Sequence, residues 1–207
     1  GIARILAAGG AHVVAPAPGH DRPSTGELLA AIRGAGAPAV LLLPNDRNVR
    51  LAADAAAALA DGIAVTIVPT RTPQEGIAAL LAWDTRADAG EGAARMAAAA
   101  AAVRGASVAT AVRDALVGGA PVRTGATIVL DADERLLAQA GEPAAAVVAA
   151  LAALGTEAEL VTLLYGADVM LADALDVAAA VEGAYPGLAV EVALGGQPHI
   201  GYLLAVE

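Results

Sequence analysis

A two-lobed α/β protein is what this sequence predicts, with a parallel α/β sheet in the first half and a mixed α+β sheet in the second. Three observations carry that prediction. Aliphatic runs that end in proline and lead into a helix start occur three times before residue 75; an almost pure alanine stretch follows over 91–104; beyond Gly105 the pattern turns to short strands, a hairpin and two helices. A short aliphatic run bounded by turn residues fits a strand buried on both faces, and such strands need helices above and below them.

The elements follow in order. Residues 1–8 read as a short helix with Ile2, Ile5 and Leu6 on one side, ended by Gly9-Gly10. The first strand is expected over 12–16 and the second over Val40-Leu41-Leu42-Leu43, stopped by Pro44; the third spans 64–68 and is stopped by Pro69. Each precedes a helix, over 24–33, 46–59 and 72–83. Ser24 with Glu27 and Thr72 with Glu75 have capping-box spacing, Pro73 sits at the first helical position, and Asn45 is a candidate cap for the middle helix. Parallel strands joined by right-handed crossovers point the same way. The three following loops are therefore expected together at the carboxyl edge of the sheet.

Alanine is the best helix former, so 91–104 reads as a connecting helix with Met96 and Val103 on its larger face. Past Gly105, the expected lobe boundary, alternation over 107–114 suits a half-buried strand. Gly118-Gly119 and Thr124-Gly125 are turns, and 127–131 with 135–139 form a hairpin. A helix over 143–154, a strand over 160–165, a helix over 172–185 and strands over 188–194 and 200–206 complete a mixed sheet with helices mostly to one side. The lobes are accordingly 1–104 and 105–207.

Composition narrows the functional classes. The chain has 207 residues, 57% of them hydrophobic but only 2% aromatic, with no Phe and no Cys. Its core must be built from Ala, Val, Leu and Ile, and disulfides and thiolate metal ligands are excluded; the absence of cysteine suits a cytoplasmic protein. A net charge of −10 argues against nucleic-acid binding, which needs a basic surface to displace phosphate counterions. The charge is uneven: residues 1–103 carry 8 Arg against 9 acidic residues, net −1, and residues 104–207 carry 4 against 13, net −9. Arg22, Arg47 and Arg71 fall one in each of the three converging loops. Three guanidinium groups beside three helix N-termini suit an anion or an acidic partner, and solvated loop arginines are the plain alternative. No apolar stretch reaches the roughly 18–20 residues of a membrane span. There is no secretory signal pattern, and a start at Gly1 in mid-pattern is expected of a fragment.

Self-sufficient catalytic motifs are missing: no phosphate-binding P-loop, no dinucleotide fingerprint and no nucleophile elbow. The serines are Ser24 and Ser107, the first of them occupied by capping. His12, His20 and His199 lack metal-ligand spacing. His20 beside Asp21 is a candidate general base, and Asp131, Asp133 and Glu134 a candidate hard-cation group against the plainer reading of a solvated hairpin tip. Gly195-Gly196-Gln197 is a tight glycine segment between the last two strands.

Taken together, Pro23-Ser24-Thr25, Leu42-Leu43-Pro44-Asn45 with Asn48, Val68-Pro69-Thr70 with Pro73-Gln74 and Gly76, Ala111-Val112-Arg113-Asp114, Tyr165-Gly166 with Asp168, and Gly195-Gly196-Gln197-Pro198 with the ending Val206-Glu207 resemble the C-terminal domain of the dihydroxyacetone-kinase-like family. That family includes the ATP-binding subunit of bacterial fatty acid kinase. The resemblance runs over nearly the whole chain. It departs at Arg22, where asparagine is usual, and over 17–21, and the strand that normally precedes the first helix is not in the chain. The resemblance implies a two-lobed fold similar to the fatty-acid-binding DegV-like proteins. It places ATP and Mg²⁺ in an N-terminal domain outside this chain, so no cofactor and no catalytic residue is expected here.

The resemblance further implies a docking role in a kinase: engaging a DegV-like fatty-acid-binding partner so that its acyl carboxylate can be phosphorylated. Arg22, Ser24, Thr25, Asn45, Arg47, Asn48, Arg71 and Gln197 are the candidate contact residues, although capping alone explains several. The alternatives are a binding domain for an anionic or lipid small molecule and a homodimerisation module.

Overall fold

The computed structural model describes residues 1–155 and 158–207. It contains two compact units, one of Ala3–Ala102 and one that joins Gly1–Ile2 to Val103–Glu207.

The first unit is organised on two parallel strands. Its elements are α1 (Ile2–Ala8, all but Ile2 in this unit), α2 (Thr25–Gly34), β1 (Ala39–Leu42), a 3-10 turn (Arg47–Val49) that runs into α3 (Arg50–Ala58), β2 (Ala64–Ile67), α4 (Pro73–Leu81) and α5 (Ala89–Ala102). β1 and β2 pair in parallel, Ala39 opposite Ala64 through Leu42 opposite Ile67. Successive strand residues face opposite sides. Val40, Leu42, Val65 and Ile67 pack with Leu28, Ile32, Val49, Ala53 and Ala56 of the α2–α3 side, while Leu41, Leu43 and Val68 pack with Ala79, Met96 and Ala100 of the α4–α5 side. Helices thus cover both faces, as an aliphatic strand requires. Gly92 lets α5 close on Trp83, because a Cβ there would overlap the indole ring.

The expected strand over 12–16 is not one. The segment is extended, but no ladder bond joins it to β1 among the described residues. Pro16 and Pro18 have no N–H to give, and β1 pairs only with β2. The sheet of this unit therefore has two strands where three were expected, and the side chains of β1, including Val40, Leu41 and Leu42, stay half-buried.

In the second unit, β3 (Arg104–Thr110), β6 (Thr127–Asp131), β7 (Leu136–Ala140), β8 (Leu160–Tyr165), β9 (Ala189–Leu194) and β10 (Tyr202–Val206) form a six-stranded sheet in the order β7-β6-β3-β10-β8-β9. Every pair is antiparallel except β8 with β9. Helices α6 (Pro143–Leu154) and α7 (Leu171–Ala184) lay Val147, Ala150, Leu151, Ala174, Val177 and Val181 on Ala106, Val108, Val129, Val161, Leu163, Tyr202, Leu204 and Val206. Tyr185 follows α7 and donates its hydroxyl to the Val148 carbonyl at 3.0 Å, which ties the two helices. The guanidinium of Arg104 donates to the Leu154 carbonyl at the end of α6.

The strand expected over 107–114 ends earlier, at Thr110, and a separate two-stranded hairpin follows: β4 (Ala115–Val117) with β5 (Ala120–Val122). Two sets of bonds make the break. The Ala111 carbonyl accepts the Gly125 N–H at 2.7 Å, and Asp114 accepts from the N–H of Thr124 at 2.8 Å and from its hydroxyl at 2.9 Å. Alternation alone does not reveal that side-chain pairing.

Gly166 sits where the chain leaves β8, and a Cβ there would press on the Ile200, Gln197 and Gly201 carbonyls. Backbone cannot give way as a side-chain tip can. Gly166→Ala is expected to lower unfolding stability by about 2–4 kcal/mol in urea titration. Gly183→Ala, on an open face of α7, is expected to raise it by about 0.5–1 kcal/mol.

Candidate functional site

The carboxyl edge of β1 and β2 gathers the polar side chains of the first unit. β1 runs out through Leu43 and Pro44 into Asn45, whose φ of 55° lies in the left-handed region that asparagine tolerates better than most residues. Its N–H donates to the Thr70 hydroxyl at 3.1 Å, which links the loop after β1 to the loop after β2. Its carboxamide lies against Gly76 of α4, where a Cβ would overlap it. Asn45 Oδ1 is buried without a hydrogen-bond partner.

Asp46, not Asn45, is the cap of the middle helix. Its carboxylate accepts from the Asn48 N–H at 2.7 Å and from the Asn48 carboxamide at 3.0 Å. The left-handed turn of Asn45 leaves Asp46 in the extended conformation a cap needs. Asp46 also holds the third loop: Arg22 Nε donates to it at 2.6 Å. Burial opposes ionisation of Asp46, but the Asn48 N–H and the Arg22 guanidinium outweigh it, and the carboxyl lies below its ordinary value.

Ser24 forms the full capping box of α2. Its hydroxyl accepts the Glu27 N–H at 3.3 Å, and the Glu27 carboxylate accepts the Ser24 N–H at 2.7 Å. The same carboxylate reaches the Ala17 N–H at 2.7 Å and so pins the loop that leads in from residue 16. Thr72 caps α4 through the Glu75 N–H at 3.2 Å, but the box is open on its other side: Glu75 turns to the Arg71 N–H at 2.6 Å and to the Arg71 guanidinium at 3.4 Å. Arg71 is the closer donor because the tight turn after β2 places its N–H over the first turn of α4. Glu75 is 4% exposed, with Gln74 and Thr70 equally enclosed beside it.

Of the residues singled out from sequence, Arg22 and Asn45 bond across loops, while Ser24, Asn48 and Arg71 bond within their own loop and helix start. Thr25 opens α2 and is half-buried; Arg47 opens the 3-10 turn and is exposed. Gln197 belongs to the second unit, where its carboxamide donates to the Leu164 carbonyl at 3.0 Å. Sequence reasoning missed Asp46, Thr70, Gln74 and Glu75 as rim residues. A run of polar residues right after an aliphatic strand was the available signal for the last three. Asp131 spends one oxygen on the Asp133 and Arg135 N–H groups, both at 2.8 Å, so the acidic hairpin tip is a turn clasp. No group of three potential metal ligands occurs among the described residues.

The rim offers hydrogen bonding and positive charge over an aliphatic strand end. Arg22 and Arg71 keep 49% and 53% of their side chains exposed despite their carboxylate partners. That arrangement recognises and positions. The Ser24 hydroxyl donates to the Glu27 carboxylate at 2.6 Å within the capping box.

Known proteins agree on the fold. Residues 1–207 match the FakA-like C-terminal family of fatty acid kinase proteins. Protein YloV of Bacillus subtilis is 30% identical over 214 residues, covering 100% of this chain and 37% of that protein. The chain therefore spans little more than a third of this relative. A DegV family protein from Corynebacterium glutamicum superposes with a TM-score of 0.71 at 15% identity, covering 98% of this chain and 91% of that one. The fatty acid kinase B3 protein of Streptococcus pneumoniae, solved with linoleic acid, gives 0.59 at 14% identity over 89% and 76%. No helix among the described residues is long and apolar enough to cross a membrane.

A carboxyl held below its ordinary pKa stabilises the fold above the unfolded value, about 3.9, and loses that contribution as pH falls through the lower folded value. Arg22→Ala is expected to move Asp46 back up toward the ordinary value, read by carboxyl ¹³C NMR titration, and to shrink the acid-side loss of stability, which still begins at the unfolded value but ends at a higher pH. An unchanged Asp46 titration would show that the Arg22 ion pair contributes nothing in solution.

Proposed function

The chain belongs to the FakA-like C-terminal family of fatty acid kinase proteins, and from that premise we propose that it is the docking domain of such a kinase. On this reading it engages a DegV-like fatty-acid-binding protein and presents that protein's acyl carboxylate for phosphorylation elsewhere in the complete enzyme. The observation that carries the reading is the polar rim: three loops tied to one another by the Arg22–Asp46 and Asn45–Thr70 bonds, with guanidinium groups left half exposed above them.

Pre-tied loops suit recognition, because a partner that meets a rigid rim loses little entropy in ordering it. Half-exposed arginines beside their carboxylate partners retain donors in a fixed fork, which fits carboxylate or phosphate oxygens on a partner surface. The family match and the chain's DegV-type fold support the identity of the partner; ATP and Mg²⁺ chemistry is assigned to the remainder of the longer protein.

Calorimetric titration of the intact protein with a lipid-loaded fatty-acid-binding protein of this type tests the proposal. Arg47→Glu is expected to weaken binding about tenfold or more, with the loss growing at low ionic strength. Wild-type protein that gives no heat with the loaded partner, but gives heat with free fatty acid, would replace docking by direct ligand binding.

A further inference from the structure

The six-stranded sheet of the second unit ends at β9, and the bonds of β9 fix which of its backbone groups lack a strand beside them. In a parallel pair each residue turns its N–H and its carbonyl to the same side. The Ala189 N–H donates to the Glu159 carbonyl at 3.0 Å and the Gly195 N–H to the Tyr165 carbonyl at 2.9 Å, both across the pair with β8. Odd-numbered residues of β9 therefore face β8, and the backbone groups of Val190, Val192 and Leu194 face outward. No ladder reaches them among the described residues, and no proline, bulge or lysine blunts the edge.

Helix α7 packs over β8 and β9 with Ala174, Val177, Ala178 and Val181 inward. At about 100° per residue, Leu171, Leu175 and Glu182 share one flank of the helix, and Asp173 and Asp176 lie toward the other. The second flank looks to the middle of the sheet, because burial first, and then the charges of Asp173 and Asp176, hold the Tyr202 phenol of β10 above its ordinary pKa. Leu171 and Leu175, each 51% exposed, are thus on the outer side above β9. Leu194, 40% exposed, ends β9 at the same corner.

We propose that β9 pairs antiparallel with β9 of a second copy, joining two six-stranded sheets across a two-fold axis, with Leu171 and Leu175 of both α7 helices over the seam. Register and charge select a second copy. Three outward residues centred on Val192 read the same after a two-fold rotation, so Val190 meets the partner's Leu194 and Val192 the partner's Val192. Glu191 then lies opposite the partner's Ala193. An axis moved to Glu191 would set two carboxylates directly opposite each other, which is destabilising. The six residues of β9 and the 14 of α7 each span about 20 Å, and sheet plus helix layer are about 20 Å deep, so the face is roughly 400 Å² in plan. That is small beside the about 800 Å² per partner of a standard interface, and the dimer is a weak one that dissociates in the micromolar range. Glu182 and the net charge of −9 over 104–207 oppose it at low salt.

Hydrogen exchange of the intact protein in high salt, resolved to single amides over a concentration series, tests this. Val190, Val192 and Leu194 are expected to exchange at least about threefold slower when concentration rises about a hundredfold through the micromolar range, with Glu191 and Ala193 slow throughout. Leu175→Glu, at an exposed site, is expected to abolish that dependence and leave Glu191 and Ala193 slow. Association through any other surface would leave the outward amides unchanged, so rates independent of concentration overturn the proposal. So does protection already complete at nanomolar concentration, which so small a face cannot supply, and so does a dependence that survives Leu175→Glu. Outward amides that stay open in the pure protein but slow on addition of a lipid-loaded fatty-acid-binding protein would give the edge to that protein and overturn the second copy.

Discussion

The parallel pairing of β1 with β2 is the constraint on which the first unit depends. It involves only four residues on each strand, yet it sets where α2 and α3 cover one face and α4 and α5 the other. It also brings two loops within a hydrogen bond of each other. Asn45 reaches Thr70 only because Leu42 is opposite Ile67, and a slip of one residue would turn every side chain to the wrong face. The rim is thus a consequence of strand register. Side chains such as Asp46 and Glu75 then fasten what the register has placed.

Energetically the rim is uneven. Glu75 is nearly enclosed, and an enclosed carboxylate needs donors to offset the hydration it has lost. It has the Arg71 N–H and guanidinium for that purpose. The Arg22–Asp46 contact is more open, and exposed pairs contribute little to stability. Its importance is positional: it ties the loop after residue 16 to the loop after β1. An enclosed acid that anchors an arginine and an open acid that only steers one are different devices, and the rim uses both.

How much of this is legible in the sequence follows the range of the interactions. Ser24 with Glu27 is local, and the box forms as its spacing foretells. Thr72 with Glu75 forms half of its box, since Arg71 competes for the carboxylate and spacing says nothing of competitors. Sequence offers Asn45 as a cap that Asp46 provides, because the left-handed turn at Asn45 is visible only in φ. The second unit's sheet is legible as a set of strands and helices, but the β4–β5 hairpin is hidden by Asp114, whose bonds to Thr124 span ten residues. The segment 12–16 has a strand's composition and lacks a strand's partner. Composition reports what a segment would do beside a neighbour, and only the fold says whether the neighbour is there.

The low aromatic content sharpens that last point. A core of Ala, Val, Leu and Ile gains its stability from close packing of many small groups, each of which contributes little by itself. Trp83, the single tryptophan, has its ring held against Gly92 of α5. Leu41 and Leu42 consequently stay half-buried beside fully buried Ala53, Ala56 and Ala79.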